Sequence, residues 1–89
     1  MGKQFLKDPD AVLDYQVDWS DWLDSDTIST STWTVPSGLA EDSASNTTTT
    51  ATVWLSGGTA GTSYTVVNHI VTAEGREDDR SIIIKCQDR

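Results

Sequence analysis

Between Leu13 and Trp19 apolar and polar residues alternate one for one: Leu13, Tyr15, Val17 and Trp19 take one parity, Asp14, Gln16 and Asp18 the other. A period of two is the side-chain period of a β-strand with one wet face, and a helix would scatter such a set around its axis. The alternation returns where Ala51, Val53 and Leu55 interleave with Thr50, Thr52 and Trp54. It returns again where Tyr64, Val66, Asn68 and Ile70 interleave with Thr65, Val67, His69 and Val71. In that third stretch both parities are largely apolar, as expected of a central strand. Thirteen of the 89 residues are Thr, a β-branched type suited to a pleated surface, and no window carries a convincing 3.6-residue period. The chain therefore reads as all-β.

The remaining segments fit the same scheme. Ser20 to Asp26 breaks the alternation and reads as a loop that tucks Trp22 and Leu23 under a sandwich edge. Ile28 to Val35 is a further strand, in which Ile28 and the pair Trp33 and Val35 have opposite parity; a bulge near Ser31 reconciles them. Pro36, Ser37 and Gly38 supply a turn, and the polar Leu39–Asn46 segment suits an edge strand. Glu74 to Arg80 reads as the charged tip of an antiparallel hairpin whose second strand returns through Ile82, Ile83 and Ile84. The expected fold is an immunoglobulin-like two-sheet antiparallel sandwich with six or seven strands. Residues 11–89 form its single domain, and residues 1–10 are an N-terminal arm too polar to enter the core. Gly61-Thr62-Ser63-Tyr64, leading into the penultimate strand, matches a tyrosine corner, in which the Tyr hydroxyl bonds back to the preceding connection. Cys86 is the sole cysteine and forms no internal disulfide, so Trp19, Trp22, Trp33 and Trp54 are the candidates to fill the core.

Composition excludes several functions. Six Lys plus Arg against fourteen Asp plus Glu leave a net charge of -8, which repels phosphate backbones and argues against nucleic acid as a partner. No apolar run approaches the roughly 20 residues that cross a bilayer, and Met1 to Lys7 lacks the apolar stretch of a secretory signal; no membrane association or export is expected. A domain this small buries only about 60 to 65% of its unfolded surface, leaving little room for a deep catalytic cleft. His69, the only histidine, has no glycine-flanked nucleophile and no metal-spaced companion in the sequence, and reads as a strand-face residue. Gly57-Gly58 with Gly61 lacks the context and the lysine of a phosphate loop and reads as a turn. The acids Asp18, Asp21, Asp24 and Asp26 raise the question of calcium, but their spacing does not reproduce a calcium loop; a solvated acidic loop is the simpler reading. No enzyme, cofactor or metal is expected. The acidity is uneven: residues 1–45 carry two cations and nine anions, residues 46–89 four and five. An acidic end of the sandwich either limits self-association or meets a basic partner.

Lys7-Asp8-Pro9-Asp10, Leu13-Asp14-Tyr15, the block Asp18-Trp19-Ser20-Asp21-Trp22-Leu23, Asp26-Thr27-Ile28 and Trp33-Thr34-Val35 resemble a family of small tailed-bacteriophage virion proteins. The similarity continues at Val53-Trp54-Leu55-Ser56-Gly57-Gly58, Gly61-Thr62-Ser63-Tyr64, Gly75 and Asp78-Asp79-Arg80-Ser81, over about residues 7 to 85. The resemblance implies an immunoglobulin-like structural protein of the phage particle, a fibre-tail adaptor, with no catalytic or metal-binding residues. It implies other virion proteins of the tail, neck or fibre as partners, several copies per particle, synthesis in the host bacterial cytoplasm and residence in the virion. A capsid decoration protein and a glycan-binding sandwich that uses an exposed Trp are the alternatives. The residues expected to contact a partner are those of the arm, Lys3, Phe5, Leu6 and Lys7, and of the hairpin tip, Arg76, Glu77, Asp78, Asp79 and Arg80.

Overall fold

The computed structural model describes residues 3–87; Met1 and Gly2 of the expected arm, and Asp88 and Arg89 of the expected domain, lie outside the described residues. Among the described residues seven strands form two sheets. Strands β1 (Lys3–Lys7), β3 (Ile28–Thr34), β6 (Ser63–Thr72) and β7 (Glu77–Cys86) make a four-stranded sheet in the order β1-β7-β6-β3. Strands β2 (Leu13–Asp18), β4 (Leu39–Asn46) and β5 (Thr50–Gly57) make a three-stranded sheet in the order β2-β5-β4. Every pairing is antiparallel except β1 with β7, which is parallel.

The alternating residues are the core. Tyr15 and Val17 of β2, Ala51, Val53 and Leu55 of β5, Tyr64, Val66 and Ile70 of β6, and Ile82 and Ile84 of β7 are buried between the sheets with Trp19 and Leu23. Most of these strands bury one parity and turn the other outward, so a slip of one residue in register would expose the whole set. Trp19 is the largest fully buried side chain. Its indole N–H, which would be costly to bury unpaired, donates to Asn68 Oδ1 at 2.8 Å. Asn68 in turn donates to Ser31 Oγ and to the Thr32 carbonyl, which explains a buried Asn in the middle of β6. Trp22 and Trp33 pack partly buried against the core, and Trp54 is exposed.

Several local expectations change. The segment read as a polar arm supplies β1, and Lys3 to Lys7 pair with Ile82 to Cys86. Phe5 packs against the core and meets Tyr15 in a tilted contact with ring centroids 5.1 Å apart. Lys7 is buried, with its ammonium donating to the carbonyls of Gly57 and Asp8 at 2.7 and 2.9 Å. Polarity excludes a lysine from a core only when its charge has no hydrogen-bond acceptor there, and the end of β5 provides one. Ser20–Leu23 is a short helix, α1, inside the expected loop; it buries Leu23 as anticipated. The register shift in β3 falls between Ile28 and Thr30 rather than near Ser31. Thr47 to Thr49 form a turn ahead of β5, tied by Thr47 Oγ1, which accepts from the Thr49 and Thr50 amides. The charged stretch of the last hairpin is mostly strand: Glu77 to Arg80 pair with Val71 to Asn68, and the turn lies at Ala73–Arg76.

The tyrosine corner is present. The Tyr64 hydroxyl accepts the Thr59 amide N–H at 3.0 Å, and the ring lies so close to Gly38 that a Cβ there would come within 2.8 Å of it. Gly38 also sits at φ +103°, a conformation that β-carbons disfavour.

Candidate interaction surface

The residues expected to contact a partner divide into those that hold the fold and those that face solvent. Arg76 leaves the hairpin turn and crosses to the loop after α1. There its Nε donates to Asp26 Oδ2 at 3.1 Å, its Nη2 donates to the Leu23 carbonyl at 2.9 Å, and its guanidinium carbon lies 4.4 Å from the centre of the Trp22 ring. The Asp26 side chain is almost wholly buried. Burial pushes its carboxyl upward, but hydrogen bonds from Thr72, the Thr27 amide, Arg76 and the Glu74 amide outweigh this and hold it below its ordinary value. Arg80 lies 4.3 Å over the Trp19 ring and donates to the Asp18 carbonyl, so the two arginines clamp the Trp19–Trp22 pair, itself edge-on at 5.3 Å.

A shallow open depression of about 260 Å³ lies beside this clamp, lined by Leu23, Asp24, Ser25, Asp26, Glu74 and Arg76. Of the acids once considered for calcium, Asp26 is engaged by Arg76 and two amides, and Asp18 accepts the Ser20 amide at the start of α1. Among the described residues no three His, Cys, Asp or Glu side chains gather in a metal-holding group.

Glu77, Asp78 and Asp79 are exposed, and two of them serve His69. The cross-strand register sets His69 opposite Asp79; His69 Nδ1 meets Asp79 Oδ1, and Nε2 meets Glu77 Oε1 at 3.0 Å. Asp79, then Glu77, raise the imidazole above its ordinary value, against a smaller opposing effect of burial. The two carboxylates bracket the ring from opposite nitrogens, an arrangement that favours an imidazolium donating to both. In β1, Phe5 and Lys7 face inward, while Leu6 is 47% exposed on the outer surface.

Sequence reading gave no role to Asp26, Arg76 and Arg80 as a clamp, because the partners lie about fifty to sixty residues apart and no local pattern joins them. The His69 bracket was more accessible: once the last two strands pair, the hairpin register brings Asp79 opposite His69. Trp54 carries a signal of its own. It shares parity with Thr50 and Thr52, which places it on the outer face of β5, and it is 41% exposed between Asp14 of β2 and Ser43 of β4.

Two packed sheets and a tyrosine corner define an immunoglobulin-like β-sandwich protein. The solution structure of the PKD domain from KIAA 1837 protein shares this fold, with a TM-score of 0.57 at 17% identity over 99% of this chain and 81% of that one. No curated protein matches the chain. A family model described as podophage GP4 fiber-tail adaptor protein gp77 matches residues 7–85, and the chain belongs to that family. It is a structural component of a phage tail. Among the described residues no helix is long and apolar enough to cross a membrane.

Proposed function

We propose that the protein is a non-enzymatic adaptor that joins the tail or neck of a phage particle to its fibres, several copies acting around a symmetric ring. The observation that carries this reading is the extent of the family match. Residues 7–85 include strands β2 to β6 and all but the last residue of β7, so the adaptor description bears on nearly all of the sandwich rather than on an appendage. Repetition suits the size of the chain. An interface of about 800 Å² per partner would occupy a substantial share of the 5106 Å² surface of this domain, and symmetry lets a smaller contact be multiplied.

The contacts proposed are the backbone edge of β1 (Lys3–Lys7), with the exposed Leu6 upon it, and the exposed acids Glu77, Asp78 and Asp79 of the last hairpin. Phe5, Lys7, Arg76 and Arg80 support these surfaces from within. An edge strand with an unpaired backbone is a ready template for a partner strand. Electron microscopy of particles carrying a gold-labelled copy tests the reading. Label at the junction of tail and fibres is expected; label over the capsid shell would replace the adaptor with a decoration protein, and unlabelled particles would end the proposal.

A further inference from the structure

The outer face of the three-stranded sheet combines negative charge with an exposed indole, that of Trp54. Asp14 and Asp18 stand on its outer parity, Asp42 accepts from Ser56 Oγ at its β4 edge, Glu41 lies opposite the inward Leu55, and strands β2, β4 and β5 contain no Lys, Arg or His. Trp54 stands on the middle strand of this sheet, so the indole is near the centre of the face, where the residues that dominate a protein interface tend to cluster. Its direct cross-strand neighbours, Asp14 and Ser43, are polar, so no cross-strand apolar partner explains an exposed Trp there.

The chain itself indicates what such a Trp takes. Trp19 and Trp22 each carry an arginine guanidinium within 4.4 Å of the ring centre, with a carboxylate or carbonyl of the neighbouring loop holding the same arginine. Trp54 offers the same elements, an exposed indole with Asp14 directly opposite it in the cross-strand register, on strands that contain no cation. Arginine over Trp is the strongest common form of cation–π contact, and a guanidinium can hydrogen-bond a carboxylate while it stacks.

We infer that the outer face of the β2-β5-β4 sheet docks an arginine-bearing segment of a second virion protein, one guanidinium lying on Trp54 and bonded to Asp14. Three strands about 4.8 Å apart and about 20 Å long present roughly 300 Å², which suits a peptide segment better than a globular face of standard size. The acidic sheet also steers a basic segment toward itself over distances of about a Debye length. The inference rests on the adaptor reading for the kind of partner, and it is tested separately from that reading.

The full chain is titrated with the peptide Gly-Arg-Gly-Arg-Gly-Arg-Gly while backbone and indole N–H resonances are followed by NMR. Saturable shifts are expected at Trp54, Asp14, Gln16 and Thr52 and not at Thr30, Thr32 or Val67 on the opposite outer face. They should weaken at least tenfold in Trp54→Ala and in Asp14→Arg, and fall as salt rises. The second variant keeps the indole and supplies its cation from within the sheet. Shifts spread equally over Asp21 and Asp24, or unaltered affinity in both variants, would overturn the inference. So would saturable binding of cellohexaose at Trp54 with no response to the peptide, which would mark a glycan platform. Particles are then assembled with each chain. If the normal chain enters particles and both variants enter equally, the docking face falls and the adaptor reading stands. If the normal chain is missing from particles, the adaptor reading falls and the titration alone decides the face.

Discussion

The two sheets use their charged and aromatic side chains in opposite ways. In and around the four-stranded sheet the ionic groups are satisfied by the chain itself: Arg76 by Asp26 and Leu23, Arg80 by Asp18 and Trp19, His69 by Asp79 and Glu77, Lys7 by two carbonyls. The three-stranded sheet carries only acids and presents an indole to water. These cationic groups are held within the chain, whereas on the outer side of the three-stranded sheet Asp18 and Asp42 accept from neighbouring serines and Trp54 stands exposed. Stability and recognition should therefore respond to different substitutions.

The strongest test of that division is Trp19→Ala. It removes the largest buried side chain, the bond to Asn68 and the seat of Arg80, and should cost about 3–5 kcal/mol, enough to unfold a domain of this size at moderate temperature; denaturant unfolding measures it. A loss below about 1 kcal/mol would mean that the Trp19–Arg80 clamp is not what joins the sheets. Tyr64→Phe leaves the ring in place and orphans the Thr59 amide, for a loss of about 1 kcal/mol read from the same transition. Trp54→Ala lies on the other side of the comparison. Its cost should stay within about 1 kcal/mol, the span of strand propensities, with the midpoint of unfolding nearly unmoved, and a large loss would show the outer face to be structural after all.

The finest distinction is in pH. Because His69 titrates above its ordinary value in the folded chain, the stabilisation from its bracket is complete below about pH 6.5 and disappears as pH rises through the raised folded value. Thermal midpoints of the normal chain and of His69→Gln should therefore converge as pH increases past neutrality. Divergence with rising pH would reverse the assignment. Asp26 has the opposite sign: its contribution is present at neutral pH and is lost as acid brings the solution down through its lowered value.

The strands were legible in the sequence where one parity is apolar, as in β2 and β5, because burial on one face leaves a period of two in the residues themselves, and β6 was legible as a longer run apolar on both parities. The tyrosine corner was legible because its chemistry is local to Thr59–Tyr64. β1 was not, since Lys3, Gln4 and Lys7 dilute its pattern and its strand character comes from pairing with β7 at the far end of the chain. The contact residues inferred from charge suffered likewise. Arg76 and Arg80 look free in the sequence and are committed to partners that only the fold brings near, and Trp54, expected among the core-filling tryptophans, stands outward instead, on the parity of Thr50 and Thr52. Long-range ionic pairing leaves no local trace, and alternation does.

The parallel junction of β1 and β7 has a mechanical meaning. The two strands run in the same direction, and the Gln87 amide is bonded to the Lys7 carbonyl, so a pull that separates residue 3 from residue 87 acts along the ladder instead of across it. Loaded in shear, the β1–β7 bonds must yield together rather than open one by one. A component seated between a tail and its fibres would transmit tension through that seam without unravelling from its ends.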